Sequence, residues 1–311
     1  MPLTVQQLNA DTTFLLTLHT PAANDPSPST DFTVLIDPWL TGPSSIFHTY
    51  FAVSRHTTES SVRSLAELDK PPDIVIISQA KNDHCNKETL CTLPRSWPGI
   101  IAAVPAAASK IRSWKYFEEE QIQTIPSYNP KSIAKVVHVP LDSTLGDAQR
   151  ATITLAYIPT PYDLSAVHNA IGITFRPTHP SSPSSKPLSI LYTPHGLLPS
   201  LLEPYLNKHL QPIGAHPIDV LFHSLNTEAN PVLLGGVISN GAPGGLEIAK
   251  MMRPRLWVGA HDEEKEVGGI STKMMRTRIH RVEEVEEMLE REVVEGTGVR
   301  VLGVGGVLRI Q

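Results

Sequence analysis

The segment at positions 78–85 concentrates polar side chains that can do chemistry. Its residues, SQAKNDHC, follow the apolar run IVII at positions 74–77, and a helix is predicted to begin at about Asn86. Polar residues between a buried strand and the start of a helix are well placed for a functional site. Asp83 and His84 are adjacent there, and both side-chain types ligate zinc or another borderline metal. An adjacent Asp-His pair alone remains weak evidence for a metal site.

Two further segments have the same organisation, a predicted strand that ends in a polar turn with a histidine. TPHG, which contains His195, follows the strand LSILY, and GAHDEE, which contains His261, follows the strand RLWV. Taken singly, each histidine fits a turn or a cap. Taken together with His84, three strand ends would each bring one histidine to the same edge of a sheet. This joint pattern favours a metal site, with Asp83 beside the histidines.

The predicted elements run in the order β-rich, helix, β-rich, helix. This order fits two sheets between outer helices better than a strictly alternating parallel sheet. Positions 61–69 predict a short helix, and positions 274–295 predict one long amphipathic helix with a glutamate-rich outer face. Positions 299–310 predict a closing strand. We expect a single domain over residues 1–311, with a core supplied by the 41% of residues that are hydrophobic.

Composition and charge exclude several classes of protein. The net charge is −5 with no long basic run, which argues against nucleic acid as a partner. Cys85 and Cys91 are the only cysteines, so a disulfide scaffold is excluded and a reducing compartment is favoured. No signal peptide and no run of about 18 apolar residues is present, which predicts a cytoplasmic protein without a membrane span. The oligomeric state stays open.

Five sequence blocks resemble the metallo-β-lactamase superfamily, in its branch of ascorbate-phosphate-lactonase-like proteins. LIDPWL resembles the family's Asp-Pro strand, and ISQAKNDHC occupies the place of its His-x-His-x-Asp-His loop. YIPTPY with HNAIGITF resembles the strand pair that holds the third histidine, LYTPHG the segment with the metal-bridging aspartate, and WVGAHDE the final histidine segment. The blocks come in family order over nearly the whole chain. The resemblance implies an α/β fold, a four-layer αββα sandwich of two mixed sheets with outer helices.

The sequence departs from the family pattern at one of the two metal positions. Gln79 and Lys81 stand where the first two histidines are expected, and Tyr162 stands in the slot of the third. A protonated lysine has no lone pair to give, so this position cannot hold a divalent ion well. We expect Gln79 and Tyr162 to line a substrate cleft instead, together with His168, for which a purely structural role is the alternative.

The resemblance implies that the second metal position is retained, with His195 in place of the bridging aspartate. Its predicted ligands are Asp83, His84, His195 and His261, which would hold one divalent ion. Zinc is the first choice for such a set, with iron and manganese as alternatives. Lys81 would supply charge to an oxyanion where the family has its other ion. Asp83 is predicted to act as a ligand or as a general base.

The sequence also gives predictions for Asp37 and for three further histidines. Asp37 could hold the loop at positions 78–85 as a hydrogen-bond acceptor or serve only in its own turn. His48 and His56, on the loop at positions 42–60, are predicted to lie at the surface, with a place at the mouth of the cleft as the alternative, and His280 is predicted to lie at the surface.

The leading functional hypothesis is a metal-dependent hydrolase of a small ester, lactone or thioester, with a small-molecule substrate as its partner. The first alternative is non-hydrolytic carbonyl chemistry at the same site, such as isomerisation or decarboxylation. The second is a catalytically inactive binding module, favoured by the loss of both leading histidines and opposed by the retained set. Whether the chain is an enzyme therefore depends on whether it binds metal.

Overall fold

The computed structural model describes nine stretches of the chain, residues 2–19, 31–46, 50, 52–132, 136–140, 150–178, 186–232, 236–269 and 271–310. His48, which the sequence predicts to be a surface residue, lies outside these stretches.

Strands dominate the described part of the chain. The first ten are β1 Leu3–Gln7, β2 Phe14–Leu18, β3 Phe32–Ile36, β4 Ser44–Ile46, β5 Ala52–Arg55, β6 Ile74–Ile77, β7 Ile100–Ala103, β8 Ile122–Thr124, β9 Val137–Pro140 and β10 Arg150–Pro159. The next ten are β11 Asn169–Thr178, β12 Leu188–Tyr192, β13 Val220–His223, β14 Thr227–Ala229, β15 Val237–Asn240, β16 Leu256–Gly259, β17 Glu266–Gly268, β18 Arg276–Arg278, β19 Gly298–Arg300 and β20 Val307–Ile310.

The helices are few and mostly short. The α-helices are α1 Lys87–Leu90, α2 Pro105–Ser113, α3 Glu203–Tyr205, α4 Gly241–Met252 and α5 Val282–Arg291. The 3₁₀ turns are Leu65–Glu67, Glu119–Gln121, Pro199–Leu201 and Ser271–Met274, and Leu206–Leu210 forms a π-helical turn.

Three local predictions from the sequence are wrong. Positions 61–69 contain only the 3₁₀ turn Leu65–Glu67 in place of a helix. The helix predicted over 274–295 is confined to α5, because β18 pairs with β14 in a small sheet instead of continuing the helix. The closing segment divides into β19 and β20, which belong to different sheets.

Two seven-stranded mixed sheets form the frame of the molecule. The first has the order β20-β1-β2-β3-β6-β7-β8, and the second has the order β19-β16-β13-β12-β11-β10-β9. In the first sheet β3, β6, β7 and β8 run parallel, and in the second β12, β13, β16 and β19 do so. Two three-stranded sheets, β15-β14-β18 and β17-β5-β4, complete the fold.

The two large sheets pack face to face through apolar side chains. Phe14 of the first sheet and Phe222 of the second have ring centroids 4.7 Å apart. The central strand β6 is buried along its whole length, as its unbroken run of isoleucine and valine predicts for a parallel strand covered on both faces. A second apolar cluster lies on the other face of the second sheet, where Trp257 packs with Ile248 of α4 and Val285 of α5. The predicted sandwich of two mixed sheets is therefore confirmed.

The parallel strands place their carboxyl ends at one edge of the sandwich, and the chain leaves these ends in polar loops. Asp37 follows β3, and the loop at positions 78–86 follows β6. Thr193 follows β12, and Ala260 follows β16. None of the described helices is both long enough and apolar enough to cross a membrane.

Candidate metal centre

Three buried histidines meet at this edge. One ring nitrogen from each of His84, His195 and His261 lies within 4.8 Å of the others. The ring centroids are 5.3 Å apart for His84 and His195, 5.6 Å for His84 and His261, and 4.3 Å for His195 and His261. The structure thus brings together the three histidines that the sequence places at three separate strand ends.

The loop after β6 is folded into a fixed shape around His84. The backbone N–H of His84 donates to the carbonyl oxygen of Lys81 over 3.1 Å. Lys110 of α2 donates from Nζ to the carbonyl of Ala80 (2.7 Å), to Oδ1 of Asn82 (2.6 Å) and to the carbonyl of Cys85 (3.3 Å). These contacts leave the loop little freedom, so His84 is presented in one orientation.

Asp37 fixes the ring of His84 from behind. His84 donates from Nδ1 to Oδ2 of Asp37 over 2.7 Å, and the Tyr192 hydroxyl donates to the same oxygen over 2.8 Å. Ser78 adds two further donors, its backbone N–H to Oδ1 (2.7 Å) and its hydroxyl to Oδ2 (2.5 Å). Both Asp37 and His84 are fully buried. A carboxylate that holds the far nitrogen of a histidine fixes the tautomer of a metal ligand, which supports the first of the two roles predicted for Asp37.

His195 is held by the turn that follows β12. It donates from Nδ1 to the carbonyl oxygen of Ile238 over 3.0 Å. His223 of β13 supports the turn through a 2.6 Å hydrogen bond from Nδ1 to the carbonyl of Thr193. Gly196 closes the turn with φ of 83°, and a Cβ there would lie 2.8 Å from the His223 ring, so the glycine is required.

His261 is held against the β1–β2 turn by a buried ion pair. Its φ of 69° lies in the left-handed region, and its backbone N–H donates to the carbonyl oxygen of Asp11 over 3.1 Å. Lys265 donates from Nζ to both carboxylate oxygens of Asp11, at 2.7 Å each. The same ammonium lies 3.4 Å from Nε2 of His261. Lys265 follows His261 by four positions and is a buried cation at the site that sequence reasoning missed.

Asp83 adds a half-buried carboxylate to the histidine cluster. Its Oδ2 lies 3.7 Å from Nε2 of His261 and 3.9 Å from Nε2 of His84, while its Oδ1 has no hydrogen-bond partner among the described residues. Burial opposes ionisation, but His84, His261 and Lys265 outweigh it and hold the pKa of Asp83 well below its ordinary value. Asp83 is therefore an anion over the physiological pH range.

The surroundings of His195 and His261 shift the pKa values of these two histidines in opposite directions. Burial, together with the neighbouring His261 and His84, lowers the pKa of His195 well below its ordinary value. For His261, burial works in the same direction, but Asp11 and Asp83 outweigh it and raise the pKa. His195 is thus held neutral with a free lone pair, the form that a metal requires.

The hydrogen bonds of His84 and His195 leave Nε2 of each ring facing the other histidine. Each ring uses Nδ1–H on an acceptor that cannot donate, the Asp37 carboxylate and the Ile238 carbonyl. The two Nε2 atoms lie 3.1 Å apart: with both rings neutral they carry the two lone pairs that an ion needs, and with a second proton on His84 its Nε2–H donates to Nε2 of His195. Two nitrogen ligands on one tetrahedral zinc lie about 3.3 Å apart, given Zn–N bonds of about 2.0–2.1 Å. The residues therefore fit a shared cation between the rings.

The four residues predicted to lie at the lost metal position and in the cleft beside it differ in burial. Gln79 is buried and donates from Nε2 to the carbonyl of Val167 over 3.1 Å. The Lys81 side chain is half-buried on the same loop. His168 is half-buried and lies 3.2 Å through Nδ1 from Oδ2 of Asp163. Tyr162 is 100% exposed on the β10–β11 turn, so its placement in the third-histidine slot is corrected: a fully exposed side chain lines no cleft.

The surface assignments of two histidines are wrong. His56 is held by Glu263 through Nδ1 (2.5 Å) and by the carbonyl of Trp39 through Nε2 (3.0 Å), and its side chain is buried. His280 is also buried, with Nδ1 3.2 Å from Oε1 of Glu284.

Of the comparisons with known proteins, only the one with solved structures finds matches. No protein-family model matches the sequence, and a search of the curated proteins finds no match. Among solved structures, the chain is similar to CmlA, a diiron beta-hydroxylase from Streptomyces venezuelae, with 12% identity and a TM-score of 0.57 over 99% of this chain and 54% of that chain. It is also similar to unliganded yeast PDE1, with 12% identity and a TM-score of 0.53 over 99% of both chains.

These likenesses show the fold alone, since the identities are low, and the chain spans about half the length of CmlA. Both neighbours have the metallo-β-lactamase fold. The narrower resemblance to the ascorbate-phosphate-lactonase branch stays a prediction. With its two large mixed sheets and a histidine triad that could hold metal at their shared edge, the chain has the metallo-β-lactamase fold.

Proposed function

We propose that the protein is a metal-dependent hydrolase of a small ester, lactone or thioester, with one divalent ion held by His84, His195, His261 and Asp83. The observation that carries the proposal is the convergence of the three histidines, with Nε2 of His84 and Nε2 of His195 3.1 Å apart and Nδ1 of each ring bound to an acceptor. Three imidazoles and one carboxylate form a donor set suited to zinc, with iron or manganese as alternatives.

A bound ion would polarise a carbonyl group and lower the pKa of water. The chain supports this chemistry by fixing its own groups in advance. Asp37 and the Ile238 carbonyl hold the tautomers of His84 and His195, so neither ring has to reorient. Asp83, with its pKa far below neutrality, is a poor general base and a better ligand.

Fixed positive charge beside the site is supplied by Lys265. Its side chain is 8% exposed, and its ammonium lies 3.4 Å from Nε2 of His261. A preorganised charge in a site of low dielectric constant stabilises developing negative charge more strongly than one in water. Lys265 is therefore the stronger candidate for the electrostatic role that the sequence assigned to Lys81.

A second candidate function is a site that works without metal, as a binding module or in non-hydrolytic carbonyl chemistry. The contact that favours it is also the one between Lys265 and His261. The ammonium can donate to Nε2 of His261, which would give that lone pair a proton in place of an ion.

Metal analysis of the protein purified without chelators separates the two candidates. We expect about one divalent ion per chain, lost in His195→Ala and retained in His138→Ala, because His138 is an exposed residue of β9. The loaded protein should then hydrolyse members of a panel of aryl esters, lactones and acyl thioesters. Wild-type protein that carries no ion and takes up none on titration would refute the hydrolase and leave the metal-free candidate.

A further inference from the structure

Two buried side-chain amides lie next to the histidine cluster with their oxygens unpaired. Gln79 is 2% exposed and Asn169 is 4% exposed. Their amide nitrogens donate to the same acceptor, the carbonyl of Val167, at 3.1 and 3.5 Å. Oε1 of Gln79 and Oδ1 of Asn169 have no hydrogen-bond partner among the described residues. Because both nitrogens are committed to a carbonyl, the free end of each amide is its oxygen.

An unpaired acceptor in the interior is costly, and native proteins retain few of them. The two amides, which share the Val167 carbonyl as their anchor and are called the cradle below, therefore each present an oxygen that lacks a hydrogen-bond donor. Neither amide can turn round to relieve the cost, since an inverted amide would direct an oxygen at the Val167 carbonyl.

The cradle is connected directly to the proposed metal ligands. Gln79 follows Ser78, which binds the same Asp37 carboxylate that holds His84. Asn169 accepts a 2.7 Å hydrogen bond at its backbone carbonyl from the hydroxyl of Thr193, which belongs to the turn that carries His195. Gln79 therefore lies on the loop that carries His84, and Asn169, the first residue of β11, contacts the turn that carries His195.

The charges around the cradle favour a cation. The Asp163 carboxylate accepts from the backbone N–H groups of Val167 (3.0 Å) and His168 (2.9 Å), which places a negative charge beside the residue that anchors both amides. Asp83, on the loop that carries Gln79, adds a second half-buried carboxylate, and its buried Oδ1 has no hydrogen-bond partner among the described residues.

We propose that Gln79 and Asn169 form a substrate subsite for a primary ammonium group, so that the small carbonyl substrate is an amino-substituted one. An ammonium has three donors and suits two amide oxygens flanked by carboxylates. A calcium ion would need about six to eight oxygen ligands, more than this position offers. The inference rests on the proposed function, because it names the class of substrate that the hydrolase would take.

The test compares binding of two stable probes, pyrrolidinone and its α-amino derivative, which differ only in the ammonium group. Dissociation constants are measured by calorimetry on the metal-loaded protein at about pH 7, where most α-amino groups are protonated. We expect wild type to bind the amino probe about tenfold more tightly, as hydrogen bonds to a charged group predict. Equal affinities, or no binding of either probe, would overturn the inference even if the protein proves to be a metal-dependent hydrolase.

Variants of Gln79 and Asn169 test whether these two amides cause the preference for the amino probe. Gln79→Met and Asn169→Leu should each remove most of the preference for the amino probe while leaving the affinity for pyrrolidinone nearly unchanged. Gln121→Met is the matched control, because its amide is paired at both ends, with Trp97 and Glu118. A preference that survives in both folded site variants would place the ammonium elsewhere. Metal content of the same preparations tests the proposed function separately.

Discussion

Nε2 of His84 and Nε2 of His195 face each other over 3.1 Å across the junction of the two large sheets. His84 follows β6 of the first sheet and His195 follows β12 of the second. The site therefore forms only when the two sheets pack, and its ligands reach their positions through the same contacts that hold the sandwich together. Metal affinity should accordingly depend on residues behind the histidines as well as on the histidines themselves.

Asp37→Asn should weaken metal binding without unfolding the protein. If the amide nitrogen faces His84, it donates to Nδ1 and forces the proton onto Nε2, which removes the lone pair that the ion needs. Changes to such supporting groups typically lower metal affinity by about 10–100-fold. Competition with a chromophoric chelator measures this loss. Tyr192→Phe, which removes one donor to Asp37 but leaves the contact to His84, should have a smaller effect; equal effects would contradict this role for Asp37.

Lys265→Met should be strongly destabilising, because it leaves Asp11 buried without its cation. Breaking a buried ion pair typically costs about 3–5 kcal/mol in the free energy of unfolding, whereas replacing both partners costs much less. The double variant with Asp11→Asn should therefore recover a large part of the loss in urea unfolding. Lys250→Met, at an ion pair on the surface with Glu247, should change stability far less. A double variant less stable than Lys265→Met would refute this account of the pair.

Asp163 should make the stability of the protein depend on pH in the acid range. Burial opposes ionisation, but the Ser165 hydroxyl and the His168 backbone N–H lower the pKa of Asp163 from 3.8 to about 2. A folded-state pKa below the unfolded value adds stability that is present above about pH 4 and is lost as the pH falls towards 2. The gap in unfolding free energy between wild type and Asp163→Asn should therefore shrink below about pH 4. A gap that stays constant down to about pH 3 would contradict the assignment.

The histidine triad could be predicted from sequence because its signal is local. Each histidine follows a short apolar run, and the carboxyl ends of parallel strands must share an edge. His84 and Asp83 also stand within one loop, so their proximity follows from chain connectivity. The apolar runs do not predict how the histidine rings are oriented. The orientation of His84 depends on Asp37, 47 positions away, and that of His195 depends on Ile238, 43 positions away.

The features that sequence reasoning missed depend on long-range contacts. Lys265 reaches Asp11 across 254 positions, and His56 reaches Glu263 across 207, so neither pair leaves a local pattern. The helix predicted over 274–295 is shortened by the pairing of β18 with β14, in which a distant strand overrides local helix propensity. Tyr162 was misplaced because the turn between β10 and β11 has no periodicity to align.

The central claim is that the histidine triad binds a divalent ion, and thermal unfolding with and without a chelator tests it most directly. An ion that binds only the folded state stabilises it by mass action. We predict that chelation at neutral pH lowers the melting temperature and that added zinc, iron or manganese restores it. The effect should fade below about pH 6, because protons compete for the same lone pairs. Asp11 and Asp83 raise the pKa of His261 against the effect of burial, which favours protonation of this ligand as the pH falls.

His84→Ala and His261→Ala should each abolish most of this response, whereas His138→Ala, at an exposed position on β9, should leave it intact. The account predicts a melting temperature that falls on chelation and recovers with metal in wild type and His138→Ala alone. A wild-type melting temperature that is indifferent to chelator and to every divalent ion tried would contradict it.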